Sequence, residues 1–316
     1  MTKPKLCVIA SGGDAPGMNA CVESIHRTAT AAGIPAFFAT AGYDGLVNNN
    51  VAPLTPDIAL HIAPAAGCVL KAGRSDAFRT PEGLEKAVRN IRKHKFTHIV
   101  ILGGNGSFKG AARLAAAGVP VLCIPATIDN DVFFTKNSLG FSSACEKSTA
   151  LVDGLKETMR TNDRDHIVQM MGWHCDQLTT TVGAATFAEI LDTNANRHTP
   201  EQIAQIFAQN RRNGITSNMM LMQERLAPDR QTADIVAEGT AKYDFLSEVM
   251  AATGDEGIRI NVLGHLQRGA RPSCRDRWLG AHYGRLAVEL AATNQSNLAI
   301  ALLGDEFRAV ALEQAL

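Results

Sequence analysis

The chain has 316 residues, of which 46% are hydrophobic and 20% are charged, and its formal net charge is zero. This composition is ordinary for a soluble α/β protein with one large or two modest domains. The zero net charge and the few aromatic residues argue against nucleic-acid binding. No apolar run approaches the ~18–20 residues of a bilayer span, which argues against a membrane protein.

Cysteine usage and the amino terminus indicate the compartment. The seven cysteines are scattered, mostly in apolar segments, and form no C-x-x-C pair, so we expect reduced core residues rather than a disulfide or zinc framework. Residues 1–5 lack the apolar h-region of a signal peptide. Together these features predict a cytoplasmic protein.

The first predicted unit is a strand, a glycine turn and a helix. Leu6–Ala10 is a short apolar run, Ser11–Asn19 is rich in glycine, and a helix is expected from about Met18 to Ala32. Such a turn offers backbone N–H groups and a positive helix end to phosphate. It is not G-x-G-x-x-G, and no acidic residue follows the next strand, Pro35–Thr40, in the dinucleotide pattern, so a standard NAD site is not expected. A tight turn whose glycines serve geometry alone is the alternative.

Two loops and a helix come next. Gly42–Leu46 follows a strand, and Arg74 follows a glycine-flanked turn, where its guanidinium donors match the oxygens of a phosphate. An ordinary surface arginine is the alternative. Thr80 and Pro81 predict the N-cap and the first position of a helix that ends near Lys95.

Two more strands end in polar or glycine-rich loops. Thr97–Leu102 leads into Gly103–Ser107 and a helix over Phe108–Ala117. A buried strand at Val119–Ile124 leads directly into Pro125–Asp131. Because ligands bind at the carboxyl ends of strands in an open α/β sheet, we expect these loops and the first glycine turn to line one edge of one sheet.

Asp129 and Asp131 lie two residues apart in the last of these loops. Two carboxylates at that spacing can take separate roles, one binding a metal and one accepting a proton. An Asx-rich turn, in which the side chains bond their own backbone, is the alternative.

The pattern changes beyond Gly140 and predicts a smaller α/β domain over 140–266. A long helix is expected at Ser142–Thr161, and strands are expected at His166–Met170 and Asn218–Met222. Thr199–Gln202 combines an N-cap, an N1 proline and a capping box at the start of another helix.

The last signal is the segment 258–269. Arg259 begins a strand, and His265 and Arg268 follow it three residues apart, a spacing at which both can converge on one anion. A surface turn with a structural histidine is the alternative. A helix at Trp278–Ala292 and a strand at Leu298–Leu303 close the chain.

Four stretches together resemble the bacterial 6-phosphofructokinase family: Ser11–Asn19, Pro125–Asp131, Met171-Gly172 and Gly264–Gly269. The resemblance runs from residue 6 to about residue 305, in the family's order and at its spacing. It implies two Rossmann-like domains, each a mainly parallel sheet flanked by helices, with the active site in the cleft between them. We expect a larger phosphoryl-donor domain at 1–139 plus 267–316 and a smaller sugar-phosphate domain at 140–266.

The resemblance implies that the terminal phosphoryl group of ATP is transferred to the 1-hydroxyl of fructose 6-phosphate, a step of glycolysis, with Mg²⁺ as cofactor. Asp129 matches the family's catalytic base, Thr127 a residue that orients the transferred phosphoryl, and Asp131 a residue near the metal. A carboxylate placed at the hydroxyl accepts its proton as the new bond forms, because an alcohol is too weak an acid to lose that proton first.

The resemblance also implies a sugar-phosphate site and a shared active site. The positions that match sugar-phosphate contacts are Met171, Gly172, Glu224, His265 and Arg268. Arg164 and Arg259 match arginines that reach the substrate from a neighbouring subunit, and Arg164 is grouped with the catalytic residues. A homotetramer is the usual assembly in the family, so small-molecule substrates and a second copy of the chain are the expected partners.

Eight positions match the family's nucleotide contacts: Gly12, Gly13, Tyr43, Arg74, Gly104, Asn105, Gly106 and Ser107. Pyrophosphate-dependent members carry an aspartate at the position of Gly106 and a lysine at the position of Ala126. Both positions therefore favour ATP as the donor.

Two departures affect the donor site. Asn105 stands where the family usually has an aspartate that helps to bind magnesium, so we expect a weakened metal contact at Asn105 beside Asp131, with the chemical step retained. Trp173 replaces an arginine that approaches the nucleotide phosphates, so one negative and one positive charge are lost together.

A third departure concerns regulation. Allosteric members bind a nucleotide diphosphate or phosphoenolpyruvate between subunits through basic residues. Glu23 and Thr55 occupy two of those arginine positions, Arg27 and Lys156 keep positive charge, and Glu189 matches a magnesium-side acid. Because a carboxylate repels a phosphate, we expect weak or absent control by these effectors.

Two alternatives remain open. An enzyme of the same fold that uses pyrophosphate, or another ketose phosphate such as tagatose 6-phosphate or sedoheptulose 7-phosphate, would also use Asp129, Arg164 and Arg268. A non-catalytic paralogue that binds sugar phosphate and regulates a partner is supported only by Asn105 and Trp173.

Overall fold

A computed structural model of the chain describes residues 3–224 and 238–316. Met1 and Thr2, part of the amino-terminal stretch used above, lie outside the described residues. The chain divides into two compact units, one formed by the residues up to Ala144 with Arg268–Leu316 and the other by Cys145–Gln267. The donor and sugar-phosphate roles expected for two such domains stay predictions.

The strands in chain order are β1 Leu6–Ala10, β2 Ala36–Ala39, β3 Val51–Pro53, β4 His98–Gly103, β5 Val121–Thr127, β6 Leu139–Gly140, β7 His166–Met170, β8 Ile190–Asp192, β9 Met219–Gln223, β10 Arg259–Val262, β11 Leu298–Leu303 and β12 Glu306–Ala311. The helices are α1 Met18–Ala31, α2 Tyr43–Val47, α3 Pro56–Ala59, α4 Asp76–Arg79, α5 Pro81–Lys93, α6 Asn105–Ala116, α7 Phe141–Asn162, α8 Gln177–Thr186, α9 Pro200–Arg212, α10 Glu238–Thr253 and α11 Cys274–Ala292. Within the described residues, 3₁₀ turns lie at Gly264–Leu266 and Leu312–Ala315.

The first unit contains an eight-stranded sheet in the order β12-β11-β5-β4-β1-β2-β3, with β6 paired to the end of β5. The pairings are parallel except at the two edges, where β3 and β12 run antiparallel to their neighbours. Because β1, β4 and β5 are adjacent and parallel, their carboxyl ends meet at one edge. The prediction that three loops line one edge of one sheet is confirmed.

The second unit contains a four-stranded, wholly parallel sheet in the order β10-β7-β9-β8. Its core consists of apolar side chains from the strands and from α9 and α10, including Ile167, Phe207, Met220 and Val249. Both units are therefore mainly parallel sheets flanked by helices, as the sequence predicts.

Local sequence signals set several boundaries as predicted. The Thr80 hydroxyl caps α5 by accepting a hydrogen bond from the Gly83 N–H at 3.0 Å. At the start of α9, the Thr199 hydroxyl accepts from the Gln202 N–H and the Gln202 side chain accepts from the Thr199 N–H, which completes the predicted capping box. The strand predicted at His166–Met170 has those bounds.

Other boundaries differ from the sequence predictions. α6 begins at Asn105 rather than Phe108, because the Gly104 carbonyl accepts hydrogen bonds from the Ser107 and Phe108 N–H groups. β5 continues to Thr127, because β6 pairs with Ala126 and Thr127 after the ladder with β11 has ended. A short helix, α2, replaces the loop expected after β2, and α11 begins at Cys274 rather than Trp278.

The cysteine prediction is partly wrong. All seven cysteines lie in the described part of the chain and are free, but only Cys7, Cys21 and Cys123 are buried. Burial raises the pKa of those three thiols. Within residues 3–224 and 238–316, no helix combines the length and the apolar character needed to cross a bilayer.

Candidate active site

The first glycine loop is tied to its neighbours by backbone hydrogen bonds. The Gly12 N–H donates to the Gly73 carbonyl at 3.0 Å, and Ser11 and Gly73 form a parallel bridge. Arg74 follows this bridge directly and is exposed. The Ser107 hydroxyl donates to the Ser11 carbonyl at 3.0 Å. Four predicted nucleotide contacts, Gly12, Gly13, Arg74 and Ser107, therefore lie in one connected region.

The Arg268 guanidinium lies against Gly13. Its Nη1 donates to the Asp14 carbonyl at 3.2 Å, and a Cβ atom built on Gly13 would lie 2.1 Å from that nitrogen. Only glycine leaves room for this approach. Arg268 was predicted to bind the sugar phosphate together with His265; the structure brings it to the glycine loop of the first unit, whereas His265 belongs to the second unit.

The amino-terminal end of α6 faces the carboxyl end of β5. Gly104 is the N-cap, and a Cβ built on it would lie 3.5 Å from the Thr127 Cβ. The first N–H groups of a helix lack intrahelical acceptors, and the helix dipole is positive there, so this end attracts phosphate. A Cβ built on Gly106 meets no atom within 4 Å, so the space in front of this residue is open.

Tyr43 supports α6 from within the fold. Its hydroxyl donates to the Ser107 carbonyl at 2.6 Å, its ring stacks on Phe78 at 4.2 Å, and the absence of a side chain at Gly110 leaves room for the ring. Burial raises the pKa of Tyr43 well above its ordinary value. Tyr43 was predicted to be a nucleotide contact; the structure uses its hydroxyl to hold the first turn of the helix.

The loop after β5 is fixed by Asn130. This residue adopts a left-handed backbone conformation, with φ of 53°, which asparagine tolerates better than most residues. Its side chain accepts from the Ser138 N–H at 2.8 Å and donates to the Lys136 carbonyl at 3.2 Å. The Asp129 N–H donates to the Thr127 hydroxyl at 3.2 Å. Thr127, Asp129 and Asp131 are partly exposed and are held in a defined turn.

Asn105 is bonded to Asp131. Its side-chain amide donates to the Asp131 carboxylate at 2.9 Å and to the Asp131 carbonyl at 3.1 Å. A carboxylate only accepts, so the NH₂ group of Asn105 faces it. Asn105 was predicted to make a weakened contact with the metal. The structure gives the amide nitrogen a further role, the orientation of Asp131.

In the second unit, the turn Met171-Gly172 is held by three side chains. The Met171 N–H donates to the Gln267 side chain at 2.9 Å, the Gly172 N–H donates to the Glu224 carboxylate at 3.0 Å, and the Gln223 amide donates to the Gly172 carbonyl. Gly172 has φ of 135°, and a Cβ there would lie 2.5 Å from the Cys175 carbonyl oxygen. The structure therefore brings together three predicted sugar-phosphate residues, Met171, Gly172 and Glu224.

Arg164 and Arg259 lie at the opposite end of the strands of the same sheet, where β7 and β10 begin. Both are exposed, Arg164 comes just before β7, and Arg259 begins β10. Met171 and Glu224 follow the carboxyl ends of β7 and β9. A five-residue strand spans ~16 Å, so the two arginines do not reach that end within one subunit. His265 is exposed in the 3₁₀ turn after β10.

Glu23 occupies a pocket of anion-binding groups. One carboxylate oxygen accepts from the Arg27 guanidinium at 2.6 and 2.9 Å, and the other accepts from the Ile62 and Ala63 N–H groups at 3.0 and 2.9 Å. Burial on its own raises the pKa of Glu23, but Arg27 and the backbone N–H groups outweigh burial and hold that pKa below its ordinary value of 4.5. An internal carboxylate therefore fills this site.

The other predicted effector positions also have internal partners. Lys156 donates to the Thr186 and Phe187 carbonyls at the end of α8, at 2.5 and 2.8 Å. The Glu189 carboxylate accepts from the Met219 N–H at 2.7 Å. The Thr55 carbonyl accepts from two N–H groups of α3.

Sequence reasoning missed several residues that support the site. Asn130, Gln223, Gln267 and Arg197 all fix loops that carry predicted site residues. Asn130 had a recognisable signal, since asparagine in a turn favours the left-handed conformation. Gln267 lies within the Gly264–Gly269 motif, but Gln223 and Arg197 had no signal, because their partners are distant in sequence or are backbone atoms.

Comparison with known proteins decides the family. The phosphofructokinase family model matches residues 5–291. The chain belongs to the phosphofructokinase family. It is 31% identical over 310 residues to a protein of Finegoldia magna named ATP-dependent 6-phosphofructokinase, covering 98% of this chain and 93% of the relative. It is 32% identical over 298 residues to the protein of that name from Clostridium tetani, covering 94% and 89%.

Solved phosphofructokinases share the fold. The Saccharomyces cerevisiae structure matches 99% of this chain with a TM-score of 0.82 and 25% identity, and the Pichia pastoris T-state structure matches 100% with a TM-score of 0.83 and 24% identity. This chain spans 45% of the first yeast chain and 35% of the second. A pyrophosphate-dependent phosphofructokinase from Marinobacter aquaeolei matches with a TM-score of 0.81 at 17% identity. The fold alone therefore does not choose the phosphoryl donor.

Proposed function

We propose that this family member is an ATP-dependent 6-phosphofructokinase. It transfers the γ-phosphoryl group of MgATP to the 1-hydroxyl of fructose 6-phosphate and gives fructose 1,6-bisphosphate, a step of glycolysis in the cytoplasm. The observation that carries the proposal is the meeting of the β1, β4 and β5 ends, which brings Gly12, Gly104, Thr127 and Asp129 to one sheet edge. The names of the curated bacterial relatives support the same activity.

Asp129 is the group that accepts the proton of the 1-hydroxyl in this proposal. The loop geometry supports the role, because the Thr127 hydroxyl and the Asn130 network fix the backbone on both sides of Asp129. A base held within hydrogen-bond reach of the acceptor contributes by orientation as well as by basicity. The developing negative charge on the phosphoryl oxygens is stabilised by the amino-terminal end of α6, whose first N–H groups lack intrahelical acceptors.

The donor-site residues fit a magnesium ion that keeps most of its water. Within the described ranges, no cluster of three or more His, Cys, Asp or Glu side chains forms a protein metal cage. Magnesium usually binds through one or two carboxylates together with water and substrate phosphate, and Asp131, oriented by Asn105, supplies one carboxylate. A magnesium ion held there would neutralise part of the negative charge on the transferred phosphoryl group.

The donor preference follows from two positions. Open space at Gly106 leaves room for a nucleotide, and an aspartate there would bring negative charge towards its phosphates. Ala126, which is buried in β5 with 2% of its surface exposed, stands at the position of the lysine of pyrophosphate-dependent members and brings no positive charge. Both positions support ATP over pyrophosphate.

The sugar phosphate is bound by Met171, Gly172, Glu224, His265 and Arg268, and Arg164 and Arg259 act on the active site of a neighbouring subunit. Their position at the amino edge of the second sheet, away from Glu224, supports this assignment. We propose a homotetramer with shared active sites. Because Glu23 already occupies its anion pocket, we also propose that phosphorylated effectors exert little control.

Turnover measured with a panel of donors and acceptors tests the proposed activity. ATP and pyrophosphate are each combined with fructose 6-phosphate, tagatose 6-phosphate and sedoheptulose 7-phosphate in the presence of magnesium. The proposal predicts the highest kcat/KM for ATP with fructose 6-phosphate. A preference for pyrophosphate or another ketose phosphate would overturn the donor or acceptor assignment, and binding of fructose 6-phosphate without turnover would indicate a regulatory paralogue.

Complementation between two inactive variants tests the shared site. Asp129→Asn and Arg164→Ala subunits are co-expressed with different affinity tags, and mixed oligomers are purified through both tags. Mixed oligomers should regain activity, because some sites then receive a wild-type Asp129 and a wild-type Arg164. Oligomers of either variant alone are the controls. No recovery in verified mixed oligomers would contradict site sharing.

A further inference from the structure

Arg197 lies in a polar segment between β8 and α9 that carries no motif. Its Nη1 donates to the Asp192 carboxylate at 2.9 Å and to the Gln223 carbonyl at 3.1 Å. Its Nη2 donates to the Asn194 side chain and to the Glu224 carbonyl, the latter at 3.3 Å. One guanidinium therefore joins the ends of β8 and β9.

The positive charge of Arg197 is paired with a carboxylate of the same unit. The Asp192 side chain is fully buried, whereas 27% of the Arg197 side chain is exposed. Removing the cation from a buried carboxylate strongly destabilises the folded protein. Asp192 therefore holds the guanidinium of Arg197 in place. The planar fork of donors then satisfies two successive backbone carbonyls at the point where β9 ends, which a lysine ammonium does less well.

These two carbonyls belong to the residues that hold the Met171-Gly172 turn. The Gln223 side chain donates to the Gly172 carbonyl, and the Glu224 carboxylate accepts from the Gly172 N–H at 3.0 Å. The Asn194 N–H also donates to the Gln223 side chain at 2.9 Å. Arg197 thus bonds directly to Gln223 and Glu224, two of the three residues whose side chains hold this turn.

We propose that Arg197 is a positioning residue for the sugar-phosphate site, and that it acts by fixing the backbone of Gln223 and Glu224. The inference rests on the proposed function, in which Glu224, Met171 and Gly172 bind fructose 6-phosphate. Loss of Arg197 removes the hydrogen bonds that hold the end of β9, so the affinity for the sugar phosphate should fall. The donor loops of the first unit are untouched.

The test compares Arg197→Met, Arg197→Lys and a matched surface control, Arg212→Met, whose guanidinium donates to the exposed Gln209 on α9. Arg197→Met should raise the KM for fructose 6-phosphate at least tenfold while kcat and the KM for ATP change less than threefold. Arg197→Lys should recover part of the loss, and added guanidinium should lower the KM of the Met variant. Arg212→Met should match the wild type.

Protection against thermal unfolding by fructose 6-phosphate gives a readout that does not depend on turnover. This protection should weaken in both Arg197→Met and Arg197→Lys. The Lys variant keeps the positive charge and serves as the test if the Met variant does not fold. An unchanged KM for fructose 6-phosphate, or equal losses for both substrates, would overturn the inference. A wild-type protein that does not phosphorylate fructose 6-phosphate would instead overturn the proposed function.

Discussion

The side-chain amide of Asn105 donates two hydrogen bonds to Asp131, one to its carboxylate at 2.9 Å and one to its carbonyl at 3.1 Å. An aspartate at position 105 has no donor for either bond and would place a second negative charge beside Asp131. The site therefore holds one oriented carboxylate where the family usually has two acids. Because one negative charge is missing from the site, its affinity for magnesium should be lower than with two acids. The hydrogen bonds from Asn105 keep Asp131 oriented even when no ion is bound.

Asn105→Asp should strengthen magnesium binding and lower the thermal stability of the metal-free protein. We expect the magnesium concentration for half-maximal activity to fall about tenfold, the order of effect seen when groups around a metal change. Without magnesium the variant should melt at a lower temperature than the wild type, and MgATP should reverse that loss. Asn105→Ala is the control, since it removes the hydrogen bonds and adds no charge. An Asn105→Asp variant with an unchanged magnesium requirement would contradict this account.

Asp129→Asn should lower kcat by about 10²–10⁴ and leave the binding of both substrates nearly unchanged. The amide keeps the shape of the side chain but cannot accept the proton of the sugar hydroxyl. Steady-state kinetics give kcat, and equilibrium binding of fructose 6-phosphate shows whether the site is intact. A loss of less than tenfold in kcat would assign the base to another group.

Gly106→Asp should weaken ATP binding without destabilising the fold. A Cβ at this position meets no atom within 4 Å, so the cost is electrostatic. Repulsion between the new carboxylate and the nucleotide phosphates should raise the KM for ATP about ten- to a hundredfold. Gly106→Ala separates size from charge and should change the KM for ATP less than threefold. Equal effects of the two substitutions would show that space, not charge, controls the position.

Glu23→Gln should destabilise the protein in a pH-dependent way. The folded-state pKa of Glu23 is lowered, so its contribution to stability is fully present above the ordinary pKa of 4.5 and is lost as the pH falls through the folded value. We expect the variant to be about 1–3 kcal/mol less stable at pH 7, because charged hydrogen bonds are weakened. The difference in melting temperature should shrink below pH 4.5. A constant difference from pH 7 to pH 4 would contradict the assignment.

The sequence predicts the sheet edge well because strand ends and glycine turns are local signals. Leu6–Ala10, the strand before Gly103 and the strand before Asp129 are apolar runs that stop at polar or glycine residues, and parallel pairing then brings their ends together. The element bounds at this edge are less predictable. Asn105 begins a helix because of the Gly104 carbonyl, and Thr127 extends a strand because of β6, and neither partner is visible in a local pattern.

The side-chain partners at the site are the part that the sequence does not predict. The approach of Arg268 to Gly13 joins residues 255 positions apart in the chain (268 minus 13), and the Arg197 contacts with Gln223 and Glu224 are to backbone carbonyls. Residue type does not specify such contacts, because any surface arginine offers the same donors. Tyr43 shows the same limit, since its motif position predicts a nucleotide contact but does not predict the hydrogen bond from its hydroxyl to the Ser107 carbonyl.

The most direct test of the proposed reaction is phosphorus NMR of the products formed from fructose 6-phosphate and MgATP. The wild type should form ADP and a sugar bisphosphate with a new phosphate at the 1-position, and Asp129→Asn should form them much more slowly. A parallel reaction with pyrophosphate should give no such product at a comparable rate. Formation of the 1-phosphate only with pyrophosphate would contradict the proposed reaction, as would binding of fructose 6-phosphate without any sugar product from ATP.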